Sequence, residues 1–209
     1  MIDKFSKVKA VVFDCDGVLF DTAQANRMYY NMLLEHFGKS KLNDEQFRLV
    51  HMFTVKEALD YLFPEVESME KVYAFMKKLG YQGFIQYMEP EPGLRELLEN
   101  LKKAGFIRCI ATNRTNTMAQ VLEKYDMESF FEMVVTAADV ENPKPAPDEL
   151  LKIMTELQLK PEEILFIGDS EYDYLAAKGA KTWFAAFRNR ALPADYHAIS
   201  MDDLGKAIL

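Results

Sequence analysis

Cysteine is scarce in this chain: Cys15 and Cys109 are the two present among 209 residues. So small a number excludes a disulfide framework and a cysteine-built four-ligand zinc site, and makes a reduced, cytoplasmic setting the expectation. Positive charge is short too. The chain has 25 Lys and Arg against 33 Asp and Glu, a formal net charge of -8. Nucleic acid and anionic membrane surfaces both need a basic face, so neither is an expected partner. Long apolar runs are missing. Nothing approaches the ~20 residues that cross a bilayer, and the opening MIDKFSKVKA has no apolar stretch behind it. Neither a membrane span nor a signal peptide is therefore expected.

What is present is the composition of a globular protein, 49% hydrophobic and 28% charged, which excludes disorder and collagen-like structure. The length fits one domain, or one core carrying a modest insert. The first strand signal is Val8–Phe13, a short apolar run that breaks at Asp14-Cys15-Asp16-Gly17, as a buried parallel strand does when it ends in a loop. Helical spacing follows in Ala25, Met28, Tyr29, Met32, Leu33, His36 and Phe37, with Gly38 as a stop. Leu49, Val55, Ala58, Leu59, Leu62 and Phe63 form a further helical stretch, broken at Pro64. Val66, Met69, Val72, Tyr73, Met76 and Leu79 form another, ended by Gly80. No strand pattern interrupts residues 43–88, so this block is expected to be a small helical bundle.

Glu89-Pro90-Glu91-Pro92-Gly93 reads as a linker. Beyond it helix and strand patterns alternate. Helices are expected at Leu94–Ala104, Thr117–Tyr125, Leu150–Leu157 and Tyr172–Lys178. Strands are expected at Phe106–Ala111, Phe131–Val135, Ile164–Ile167, Thr182–Phe187 and Tyr196–Ile199, with a last helix after them. Alternation of this kind implies a parallel sheet covered on both faces. The expected organisation is an α/β core, residues 1–21 and 89–209, interrupted after its first strand by a helical insert at 22–88.

An open α/β sheet binds ligands outside the carboxyl ends of its strands, which directs attention to four strand ends. The first carries Asp14, Asp16 and Asp21 in Asp-Cys-Asp-Gly-Val-Leu-Phe-Asp. Two carboxylates two apart repel each other unless a cation or strong donors balance them, so they suit a nucleophile with an acid/base partner and a metal. A solvated acidic turn is the plainer alternative. The second carries Thr112, Asn113 and Arg114. A hydroxyl and the backbone amides of a strand-to-helix turn suit an anionic oxygen, although Thr112 or Thr115 could simply cap the next helix. The third is Asn-Pro-Lys-Pro-Ala-Pro-Asp around Lys144, where three prolines stiffen the loop. It either delivers one positive charge to a defined point or is a connector with an exposed lysine. The fourth is Gly168-Asp169-Ser170, with Glu171 and Asp173 beyond. Its carboxylates suit Mg²⁺, and Asp169 or Ser170 could equally cap a helix. Four such signals on the same edge of one sheet favour the functional reading.

Taken together, these residues resemble the haloacid dehalogenase-like hydrolase superfamily, in motif order, core alternation and insert position across nearly the whole chain. The insert resembles the helical cap of the phosphoglycolate phosphatase and β-phosphoglucomutase-like subgroup. The resemblance implies a doubly wound, Rossmann-like parallel sheet with a cap. It implies a Mg²⁺-dependent phosphatase acting on a small phosphorylated metabolite. Asp14 would be the nucleophile and Asp16 the acid/base. Asp14, the backbone carbonyl of Asp16, and Asp169 would hold the metal, with Asp173 behind them or orienting Lys144. Thr112, the amide of Asn113, and Lys144 would bind the phosphoryl group. Dehalogenase-type relatives usually lack the second acid of the first motif, whereas Asp16 is present here. Mutase-like relatives usually carry a cap histidine at the position of Asn26. A non-catalytic member would be expected to have lost one of these groups, and none is lost. Substrate identity and oligomeric state have no signature in these motifs. Arg27, Lys56 and Arg114 are expected to face solvent, Cys15 to be a small apolar filler, Trp183 to pack, and the three histidines to lack ligand spacing.

Overall fold

The computed structural model describes residues 4–65 and 69–209. Val66 and the first three residues of the opening segment lie outside the described residues. In chain order the elements are β1 (Ala10–Phe13), β2 (Phe20–Asp21), α1 (Ala23–His36), α2 (Asp44–Met52), α3 (Val55–Leu62) and α4 (Glu70–Leu79). A 3₁₀ segment at Gln82–Tyr87 precedes β3 (Glu89–Pro90), α5 (Leu94–Lys103), β4 (Ile107–Thr112), α6 (Met118–Lys124) and β5 (Met133–Thr136). They are followed by α7 (Asp148–Leu157), β6 (Ile164–Gly168), α8 (Glu171–Ala180), β7 (Trp183–Phe187), β8 (Tyr196–Ala198) and α9 (Met201–Ile208). None of these helices is long and apolar enough to cross a membrane.

Internal contacts divide the chain into two units, Met1–Asp21 with Glu89–Leu209, and Thr22–Met88. The first is built on a six-stranded sheet in the order β5-β4-β1-β6-β7-β8, every neighbouring pair parallel. The sequence explains the arrangement. β1 (Ala-Val-Val-Phe) and β6 (Ile-Leu-Phe-Ile-Gly) are buried at every position, as strands covered on both faces must be. One side of the sheet packs Val12, Ala111, Val135 and Phe166 against Leu150 and Ile153 of α7 and Ala176, Ala177 and Ala180 of α8. α5 turns Leu94, Leu97, Leu98 and Leu101 inward and its charged residues outward. Because β1 is the first strand and lies between β4 and β6, the strand order reverses beside it. That reversal is the point at which a doubly wound sheet opens a crevice. The observed strands start or stop up to two residues from the expected bounds, because an apolar run and its hydrogen-bonded ladder do not end at the same residue.

The second unit is helical, and one detail differs from the sequence expectation. Leu49 and Val55–Phe63 belong to two helices, not one stretch. Thr54 accepts from the Glu57 amide at 3.1 Å, and Glu57 accepts from the Thr54 amide at 2.8 Å, a reciprocal cap that starts a new helix at Val55. Asn43 and Gln46 do the same for α2. Tyr29 of α1 meets the rings of Tyr30, Tyr81 and Phe84 at centroid distances of 5.7, 5.4 and 5.3 Å, and aromatic pairs in this range carry much of the unit's interior. His36 stacks on Phe75 at 3.5 Å. Asn26 accepts from the Tyr81 hydroxyl at 2.5 Å.

β2 and β3 pair antiparallel, Phe20 with Pro90 and Asp21 with Glu89. They bracket the stretch Thr22–Met88, and neither was expected from the sequence, because two-residue strands leave no periodicity to read.

Candidate active site

β1 ends at Phe13, and the Asp14 amide still donates to the Ile167 carbonyl at 2.9 Å. Asp14 is therefore the last residue held by the ladder, and its side chain emerges where the sheet stops. The chain then turns tightly. The Leu19 and Phe20 amides both donate to the Cys15 carbonyl, and the Gly17 amide donates to Phe20. Gly17 adopts φ +77°, and a methyl group built there would overlap the Asp169 carboxylate. Gly17→Ala is thus expected to lose about 1–2 kcal/mol from left-handed backbone alone, and to lose activity by displacing Asp169. Urea unfolding and kcat/KM check this. Unchanged values for both would contradict the packing described.

Lys144 is the centre of the polar cluster. Its loop begins after β5 and runs through Pro143, Pro145 and Pro147 to α7, bringing an almost wholly buried ammonium to three acceptors. Nζ donates to Asp14 Oδ1 at 2.7 Å, Asp173 Oδ1 at 2.6 Å and the Ala111 carbonyl at 3.0 Å. The exposed-connector alternative is excluded, since the Lys144 side chain is 3% exposed. Asn113 fixes the same loop by donating from Nδ2 to the Lys144 carbonyl at 3.0 Å. Burial opposes the charge on Lys144, but Asp14 and Asp173 outweigh it and hold the ammonium protonated well above its ordinary range.

Asp173 is fully buried on the first turn of α8. One oxygen takes Lys144. The other accepts from the Ser170 amide at 3.1 Å and its hydroxyl at 2.5 Å. Ser170 in turn caps α8, so the capping and the functional readings of this segment are both realised, by different atoms. Gly168 makes room, for a methyl group there would strike Asp173. Asp169 is partly buried, its carbonyl held by Asn189 Nδ2 at 2.8 Å.

Carboxylate oxygens of Asp14, Asp169 and Asp173 lie within 4.8 Å of one another. The crowding has a chemical signature. Burial, then Asp173, pushes Asp169 up to about 7 against the pull of Lys144. Burial also pushes Asp14 well above the usual carboxylate range, with Asp173, Asp169 and Asp16 adding to it. One ammonium does not balance this many buried carboxylates. A hard divalent cation would, and oxygen-only donors at this spacing fit Mg²⁺. Asp14 and Asp169 are the better donors, because both oxygens of Asp173 are already engaged.

Thr112 ends β4 and is 1% exposed. Its hydroxyl oxygen accepts from the Arg114 amide at 3.3 Å. It does not cap α6, whose N-cap position is Thr117, so the capping alternative fails for Thr112 and Thr115 alike. Asp16, in contrast to Asp14, turns away from Lys144 and toward Arg114. Here the sequence expectation is corrected. Arg114 was expected to face solvent, yet its side chain is 9% exposed and forks onto both oxygens of Asp16, at 2.7 and 2.6 Å. Arg27 is half-buried over the Phe47 ring and paired with Asp44, whereas Lys56 is exposed beside Asp60. Glu149, on the first turn of α7, is a second residue that carried no sequence signal. Its carboxyl is completely buried, and burial raises it to about 7 against the pull of Lys144. Cys15 is buried, and burial pushes its thiol well up, as suits an inert filler. Trp183 packs on Phe5 and donates to the Glu162 carbonyl at 3.1 Å.

The profile of the haloacid dehalogenase-like hydrolases matches residues 11–187. The chain belongs to that family. A phosphorylated carbohydrates phosphatase of Thermotoga maritima is 30% identical over 177 residues, 83% of this chain and 82% of that protein. A PpaX pyrophosphatase of Halalkalibacterium halodurans is 28% identical and covers 95% of each chain. Among solved structures, a subfamily IA hydrolase of the same superfamily from Geobacter sulfurreducens is 35% identical, with a TM-score of 0.85 over 97% of each chain. Within its family this chain is a phosphatase, a hydrolase of phosphoric monoesters.

Proposed function

We propose that the chain is a Mg²⁺-dependent phosphatase of small phosphomonoesters, working in the cytoplasm through a phosphorylated Asp14. The observation that carries this reading is the convergence of Asp14, Lys144, Asp169 and Asp173, with Thr112 beside them, from the ends of β1, β4 and β6 and the loop after β5. Asp14, Asp169 and the backbone carbonyl of Asp16 would hold the metal. When bound, Mg²⁺ would supply positive charge to offset the carboxylates and the phosphoryl group.

The chain's own residues do the rest. A carboxylate oxygen of Asp14 attacks phosphorus as the ester P–O bond breaks, which divides one hard hydrolysis into two easier displacements. Asp16 gives its proton to the departing alkoxide, then takes one from the water that attacks the phosphorylated Asp14 and releases inorganic phosphate. The Thr112 hydroxyl accepts from Arg114, so its own proton can be directed at a phosphoryl oxygen. The Asn113 amide and the Lys144 ammonium complete a fixed set of donors, and such preorganised charge is the main source of rate in phosphoryl transfer. Asp173 keeps Lys144 in place. The two-acid first motif favours this reading over dehalogenation, and Asn26 favours it over the mutase reading.

The test is a panel of phosphoglycolate, sugar phosphates and nucleotides with Mg²⁺ and with EDTA. At least one ester should release inorganic phosphate, with EDTA reducing the rate to background and added Mg²⁺ restoring it. Metal-independent halide release from a 2-haloacid, or no phosphate from any ester, would overturn the proposal.

A further inference from the structure

β6 ends at Gly168 and α8 begins at Glu171, with Ser170 as its cap. Asp169 therefore lies between a strand and a helix and belongs to neither. Gly168 pairs with Ala186 of β7 in the last rung between those two strands. One residue on, the Asp169 carbonyl takes its hydrogen bond from a side chain instead, as Asn189 Nδ2 donates to it at 2.8 Å. The other end of the same amide is engaged too. Asn189 Oδ1 accepts from the Ala191 amide at 3.1 Å, a local turn that asparagine favours. The residue before it explains the aim. Arg188 has φ 51°, a left-handed backbone that residues other than glycine rarely adopt. Its amide donates to the Ala198 carbonyl at 2.7 Å, Nη1 to Glu91 Oε1 at 2.7 Å and Nε to the Ile199 carbonyl at 3.3 Å. The Glu91 side chain is buried, so the turn is tied to the interior. Strain that the surroundings over-determine points to function, and the left-handed turn at Arg188 brings Asn189 over the end of β6.

Asp169 needs such support. Its carboxylate packs so closely on Gly17 that a methyl group there would overlap it. One of its oxygens lies within 4.8 Å of an oxygen each from Asp14 and Asp173. Like charges at this spacing push apart, so the backbone that carries Asp169 has to be fixed from outside the cluster. We propose that Asn189 is a positioning residue for the metal seat: its doubly held amide pins the Asp169 backbone, so that the Asp169 carboxylate meets Mg²⁺ beside Asp14 without rearrangement. Asn189 is not itself a ligand, and its effect passes through Asp169. Partners of this outer kind are worth about 10- to 100-fold in metal affinity. The proposal rests on the Mg²⁺ reading above.

Mg²⁺ binding itself tests it, by isothermal titration calorimetry of the full chain with the metal alone. Asn189→Ala should weaken Mg²⁺ binding by about 10- to 100-fold. The urea midpoint without metal should change little, because Asn189 is partly exposed on a loop. In turnover of p-nitrophenyl phosphate, the larger part of the loss should fall on the half-saturating Mg²⁺ concentration and the smaller on kcat at saturating Mg²⁺. A role confined to stabilising the turn would lower the urea midpoint and leave the Mg²⁺ affinity of the folded protein as it was. Asn189→Gln carries the same amide one methylene further out and should recover part of the affinity. Arg188→Gln loosens the turn and leaves Asn189 in place. It should give a smaller loss in the same direction, and it provides the test should the Asn189 variants fail to fold. Unchanged Mg²⁺ affinity in the folded variants would overturn the proposal. A wild-type chain that binds no Mg²⁺ would instead overturn the metal reading, before any variant is compared.

Discussion

Asp14→Asn lowers turnover of every accepted phosphate ester by on the order of 10³-fold or more while the protein stays folded, as loss of a nucleophile demands. The substitution is nearly isosteric, but an amide cannot form the acyl phosphate on which the two-step route depends. The fold has reason to survive. Lys144 keeps Asp173 and the Ala111 carbonyl as partners, and one of several crowded carboxylates becomes neutral. Phosphate release, measured beside the urea midpoint, separates the two effects. Mg²⁺-dependent turnover within about tenfold of wild type would remove Asp14 from the role assigned to it.

Lys144→Met produces the other large effect, and it appears in stability as well as in rate. The methionine matches much of the lysine's length but strips Asp14 and Asp173 of their shared counter-ion. Removing one member of a buried charged set costs about 3–5 kcal/mol, because the remaining charge stays buried without a partner. The Asp173 side chain is fully buried and Asp14 nearly so, so neither escapes to water without local unfolding. Urea denaturation should show this loss and phosphatase activity should vanish. A change below about 1 kcal/mol would mean that the ammonium is a surface pair, where such small values are usual.

The legible parts of this protein share a property. β1 and β6 are apolar runs that stop at an aspartate, and the boundary between a buried strand and a polar residue is visible in the residues themselves. The proline-flanked loop made Lys144 conspicuous in the same way. What was not legible depends on a partner distant in sequence. Nothing about Arg114 in Thr-Asn-Arg-Thr-Asn says that Asp16 waits for it across two loops, so the ordinary expectation for an arginine, solvent, was the wrong one. Glu149 was hidden for the same reason, since burial of a glutamate is set by what α7 packs against. The break between α2 and α3 is a different case. Thr54-Val55-Lys56-Glu57 carries a capping box in its letters, and the apolar spacing across it concealed the signal.

The pairing of β2 with β3 has a consequence for how such a chain can change over time. The backbone departs at Asp21 and returns at Glu89 across one ladder spacing, about 5 Å, so this small two-stranded sheet, separate from the six-stranded one, closes Thr22–Met88 into a loop with pinned ends. The entropy of closing a loop grows only with the logarithm of its length, by about 0.6 kcal/mol for each doubling. Lengthening, trimming or exchanging that stretch therefore places little burden on the sheet that carries the reactive groups. The bond-breaking apparatus and the helical stretch inserted into it can drift on separate clocks, one held still while the other changes in length and sequence.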